Sequence, residues 1–103
     1  MGTDGRLLAE IAFAAEVIQW RGPAPFYFAV VPPEQVGEVH YAAREASYGW
    51  GCVPVNATIG GVDFTTSLFP RDGGYMLPLK VAVRSRCGIA PGDIVQIRLR
   101  IFA

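Results

Sequence analysis

The sequence predicts a single, mainly β, α+β domain in which two like-built halves close one pseudo-barrel around a shared core. Three observations lead there. Val53–Ile59 and Val62–Leu68 alternate in phase across Gly60-Gly61, as a hairpin with one buried face requires. The order strand, Gly/Pro turn, strand, proline, helix, strand occurs twice, over about 11–59 and 62–102. A half of roughly 45 residues cannot bury its own apolar face, so the two must share one core.

Residues 1–9 read as a short tail and 10–103 as the domain. Ile11–Trp20 is apolar with Glu16 and Gln19 as interruptions, and reads as a strand. Arg21-Gly22-Pro23-Ala24-Pro25 is turn chemistry, since glycine frees φ and proline fixes it. Phe26–Val31 is aromatic and β-branched, a second strand stopped by Pro32-Pro33. A helix follows to about Ser47, because proline suits a first turn and Glu34 complements the helix dipole there. Val36, Val39, Ala43 and Ala46 form its inner stripe.

In the Gly60-Gly61 hairpin, Ile59 faces Val62, Ala57 faces Phe64, Val55 faces Thr66 and Val53 faces Leu68. Thr58–Asp63, Asn56–Thr65 and Pro54–Ser67 make the wet face. Pro70–Gly74 is a turn, and Tyr75–Leu79 is a strand that Pro78 places at or near an edge. Lys80–Cys87 is a short helix stopped by Gly88. Pro91-Gly92-Asp93 turns the chain into Ile94–Phe102, where Val95, Ile97, Leu99 and Ile101 alternate with Gln96, Arg98 and Arg100. Between the halves, Tyr27–Pro32 stands beside Gly74–Pro78, proline on proline.

The 103 residues are 51% apolar and 17% charged, which excludes a charge-rich disordered chain. No apolar run is long enough for a membrane-spanning helix and no secretory signal opens the sequence, so a cytoplasmic protein without membrane contact is expected. Cys52 and Cys87 lack metal spacing and read as free thiols, with a disulfide as the alternative. The net charge is zero, yet residues 1–70 carry −4 and residues 71–103 carry +4. The basic third either meets an anion or nucleic acid, or neutralises the acidic part across the fold; the second is favoured.

Leu79, Val83, Arg84, Gly88, Ile89, Gly92 and Asp93 fall in register with the swapped-hairpin module of the AbrB and MazE transcription regulators, which the second half resembles. Lys80 stands where that motif has proline, and Cys87 where it has leucine. A wider resemblance runs through Gln19–Phe28, Gly49-Trp50-Gly51, Val53-Pro54-Val55, Ala57–Gly61, Thr66–Pro70, Gly73–Pro78 and Val83-Arg84. In these segments the chain resembles a bacterial and archaeal family known as domain of unknown function 1905. The resemblance implies a double-split β-barrel capped by helices, similar to an AbrB-type dimer but built from one duplicated chain. It implies no activity. Some members carry a further C-terminal domain, which this sequence, stopping at Ala103, is expected to lack.

Nothing in the chain can be picked out as a catalytic constellation, so an enzyme is the least favoured reading, and no metal or cofactor is expected. His40 is the single histidine, so a multi-histidine metal site is excluded. No phosphate-binding loop, nucleophile elbow or HExxH motif is present. Trp20, Arg21, Trp50, Lys80 and Arg84 are the candidate ligand-binding residues. Guanidinium grips oxyanions bidentately and indole supplies a flat wall, which points to a small anionic or peptide-like ligand. The bland alternative pairs Arg84 with an acid such as Asp63 or Glu16, and packs both tryptophans on the barrel ends. Arg84, Arg86, Arg98 and Arg100 are the candidates for a less favoured nucleic-acid reading, by analogy with the AbrB-type regulators. A third reading is a scaffold docking a protein along a sheet edge near Pro78. Because a duplicated barrel is complete in itself, a monomer or weak homo-oligomer is expected.

Overall fold

The computed structural model describes residues 5–23, 26–47 and 51–103. Its elements run β1 (Leu7–Glu16), β2 (Ile18–Trp20), β3 (Phe26–Val30), α1 (Pro33–Ala46), β4 (Val53–Ile59), β5 (Val62–Arg71), β6 (Gly74–Pro78), α2 (Val81–Cys87) and β7 (Ile94–Phe102). The strands form one antiparallel sheet, ordered β1-β7-β4-β5-β6-β3-β2 and curled into a half-barrel. The interior is lined by alternate residues of each strand: Val53, Val55, Ala57 and Ile59 from β4, Ile97, Leu99 and Ile101 from β7, Tyr75 and Leu77 from β6.

The β4–β5 hairpin has the register its sequence alternation dictates, from Ile59↔Val62 to Val53↔Leu68. Gly60 and Gly61 both have positive φ, 57° and 79°. Only a turn of that hand matches the strand twist, and glycine enters it without a Cβ clash. Helix α1 starts with proline in its first turn and buries Val39, Ala42 and Ala43, while Val36 and Ala46 are half-buried. Ala42 therefore belongs to the stripe, which is wider than a strict three-and-four spacing.

The structure departs from the sequence reading in several places. The first strand begins at Leu7, inside the stretch read as tail, because Leu7 pairs with Phe102 at the end of β7. The strand read over 11–20 divides at Val17, whose N–H donates to the Asp93 carbonyl and whose carbonyl accepts from Gly92 N–H. On one side of Val17 the chain pairs with β7, on the other with β3. Strand β5 continues through Pro70 to Arg71, which confines the turn to Asp72 and Gly73, both at positive φ. Lastly β6 is interior, paired with β5 on one side and β3 on the other; Pro78 ends it without lying on an outer strand.

Strand β5 changes partner as the first strand does. Residues 62–68 pair with β4 and residues 69–71 with β6. Leu68 stands at that change and Val17 at the other, and both are fully buried. Strands β3 and β6 exchange reciprocal bonds: Val31 N–H donates to the Tyr75 carbonyl at 3.0 Å, and Leu79 N–H to the Tyr27 carbonyl at 2.9 Å. These bonds match Val31 with Leu79, and hence Pro32 with Lys80, both extended N-cap residues. The hydrogen-bond register thus sets Val31 and Leu79 in like positions, whereas proline on proline would set Pro32 with Pro78.

Candidate functional site

Lys80, Arg84, Phe26, Tyr27 and Val81 surround a notch of about 260 Å³ where β3 meets the start of α2. Arg84 is fixed twice. Its Nε donates to the Leu79 carbonyl at 3.0 Å, and its guanidinium carbon lies 3.6 Å from the centre of the Tyr27 ring. A guanidinium laid on an aromatic face with one nitrogen tied to backbone loses little freedom on binding, and its outer nitrogens keep the fork geometry that matches an oxyanion. Neither Asp63 nor Glu16 pairs with Arg84; among the described residues the ion pairs are Arg6–Glu45, Arg71–Asp72 and Arg98–Glu10. Asp63 instead accepts from the Thr58 hydroxyl at 2.6 Å.

Trp20 reaches this notch through Phe26, their ring centres 5.4 Å apart, and Phe26 in turn meets Phe28 at 5.4 Å. Gly22 folds over the indole so closely that a Cβ there would lie 2.1 Å from it. Arg21 is exposed on the turn beyond and does not line the notch. Trp50 lies outside the described residues. Of the five ligand-binding candidates, the fold thus gathers Lys80 and Arg84 directly and Trp20 at one remove.

Of the arginines read as a nucleic-acid surface, Arg98 and Arg100 lie on the outward face of β7, and Arg84 and Arg86 on α2. Arg98 approaches Glu10 of β1 at 3.8 Å, and Arg100 donates to the Thr58 hydroxyl at 3.4 Å. With Asp63 next in that chain, the wet face of β7 meets acids from the first part of the molecule, which is charge compensation across the fold. Arg86 is exposed in the last turn of α2, where a cation complements the helix dipole, and Arg84 lies on the Tyr27 ring.

A second, larger groove was not legible in the sequence. Val31 and Val36, with Arg71, Gly74, Tyr75 and Met76 of the β5–β6 hairpin, help line about 490 Å³. The Gly73-Gly74 pair signals a turn but not the space that a missing side chain leaves. Tyr75 is buried, which pushes its hydroxyl above the ordinary tyrosine value of 10.0. His40 meets its ring edge-on at 5.5 Å.

Among the described residues no three His, Cys, Asp or Glu side chains cluster as metal ligands, and no helix is long and apolar enough to cross a membrane. Cys52 and Cys87 are free thiols, with Cys87 Sγ 3.6 Å from the Ile59 carbonyl. No curated protein matches the chain. The model of one family, described as Domain of unknown function (DUF1905), matches residues 13–99. The chain belongs to that family.

Proposed function

For this member of a family of unknown function we propose a ligand-binding module: a duplicated double-split β-barrel whose Lys80–Arg84 notch holds a small anion. What supports the duplication is the paired change of partners. The first strand divides between β7 and β3 at Val17 as β5 divides between β4 and β6 at Leu68. The same pattern favours the likeness to a swapped-hairpin dimer folded into one chain.

The anion reading is carried by Arg84, anchored on Tyr27 and the Leu79 carbonyl without a carboxylate partner among the described residues. Lys80 beside it adds a second positive charge to the notch. Inorganic phosphate and a panel of small dicarboxylates are expected to raise the melting temperature of the parent chain and to change its tryptophan fluorescence. Arg84→Lys keeps the charge but not the fork, and should weaken the response roughly tenfold, the cost of one charge-assisted hydrogen bond. A parent chain whose melting temperature no anion raises, at low ionic strength, would overturn the reading.

A further inference from the structure

We infer that the open groove beside the β5–β6 hairpin binds a small aromatic carboxylate, its ring beside Gly74 and its carboxylate toward Arg71. The reciprocal bonds of Val31 with Tyr75 and Leu79 with Tyr27 define a correspondence that also exchanges the pair Phe28↔Pro78 with Met76↔Val30. Under it the hairpin-closing pair Trp20↔Phe26 matches Arg71↔Gly74. Val36 matches Arg84, each the fourth residue of its helix. The notch and the groove are therefore the same place in the two halves.

In the notch the chain fills part of that place itself. The Phe26 ring leans on Trp20, and Arg84 covers Tyr27. In the groove Gly74 offers no side chain and Val36 replaces the long arginine, so the space widens from about 260 to about 490 Å³. That volume is in the range of small-molecule sites. At the position matched to Phe26, the group that Gly74 lacks is one benzene-sized ring, so a single aromatic ring is what this part of the groove fits.

The rim supplies the sign of charge. Arg71 stands where the notch has Trp20, and its side chain is half-exposed. Its Nε is 3.7 Å from a largely exposed Asp72 carboxylate. A pair so long and so exposed contributes little, which leaves the outer guanidinium nitrogens for a bidentate carboxylate. This site is separate from the Lys80–Arg84 notch and stands whether or not that notch binds an anion.

The test titrates the isotopically labelled full chain with phenylacetate and follows backbone amides by NMR. Saturable shifts at Val36, Gly74, Tyr75 and Met76 are expected. Gly74→Phe restores the missing ring. Its Cβ would meet only Val36 Cγ2 at 3.6 Å and the Arg71 carbonyl at 3.8 Å, ordinary contacts. That variant should fold and bind phenylacetate roughly tenfold more weakly or worse. Val36→Arg, which recreates the other filling group, is a second block should Gly74→Phe not fold. Arg71→Gln should weaken phenylacetate more than benzyl alcohol. The inference is overturned if the groove amides show no saturable shift, if phenylacetate binding survives in the blocking variants, or if Arg71→Gln weakens both probes alike.

Discussion

The two halves of the proposed duplication share their pairings and differ in what surrounds them. Helix α1 has 14 residues, buries Val39, Ala42 and Ala43, and sends Gln35 Nε2 to the Ala12 carbonyl of β1 at 3.0 Å. Helix α2 has seven residues and buries only Val83. Its hold on the strands is helped by Arg84 on Tyr27 and by the Cys87 thiol at the Ile59 carbonyl. The first hairpin is linked by Arg21–Pro25, the second by Asp72-Gly73 alone. Strand pairing thus tolerates wide change in helix length and hairpin tip, so the fold resides in the strands while side chains at helix starts and tips are free to diverge. The notch and the groove lie at those places.

The sharpest way to break this comparison is at the two partner-change points. Leu68 and Val17 are both fully buried where a strand leaves one neighbour for the next. Leu68→Ala removes three carbons from that corner and should cost about 2–5 kcal/mol. Val17→Ala removes two and should cost less, near 2 kcal/mol by the same loss per carbon plus cavity. Both are read from the urea midpoint at unchanged slope. If one corner costs several kcal/mol and the other almost nothing, the halves do not bear on the core alike and the proposed duplication loses its energetic meaning.

Much of this was legible from residues alone, and the reasons are local. The β4–β5 register followed from period-two alternation around a turn that only glycine enters freely. The α1 span followed from Pro33 and the apolar spacing. Other features were hidden because they depend on partners distant in sequence. Nothing in the apolar run Ile11–Trp20 marks Val17 as the break, since its bonds go to Gly92 and Asp93. Arg84 was visible as a candidate, but its seat on Tyr27 needs β3 beside α2. The groove at Gly74 was invisible because it consists of an absent side chain.

A smaller effect concerns Tyr75. Burial holds the Tyr75 hydroxyl above 10.0, so the folded state keeps its proton where the unfolded chain releases it. Stability from this source is complete below pH 10.0 and falls as pH rises past it, because the unfolded state then binds fewer protons than the native one. The parent should therefore lose stability more steeply above pH 10.0 than Tyr75→Phe, while the two run parallel below it. Denaturant unfolding on both sides of that pH gives the answer. Curves parallel at all pH would mean the Tyr75 hydroxyl is as free to ionise as in the unfolded chain.

The smallest expected effect concerns Pro78, which invites the idea that proline splits the sheet. Its main-chain nitrogen points away from β3, because Tyr75 and Leu79 are the residues bonded to that strand and alternation turns Pro78 the other way. On that side the β5–β6 ladder ends at Phe69↔Met76. The matched residue in the first half is Val30, which has an N–H, yet the β2–β3 ladder ends at the equivalent pair, Ile18↔Phe28. The split therefore comes from the turning of the long strands at Val17 and Leu68, and proline is merely tolerated where no donor is needed. Pro78→Val should leave the pairing intact and cost only about 0.4–1 kcal/mol, the unfolded-state entropy that proline withholds. Hydrogen exchange checks it: if the amide that this substitution introduces became protected, proline, and not the corner, would be what keeps the strands apart.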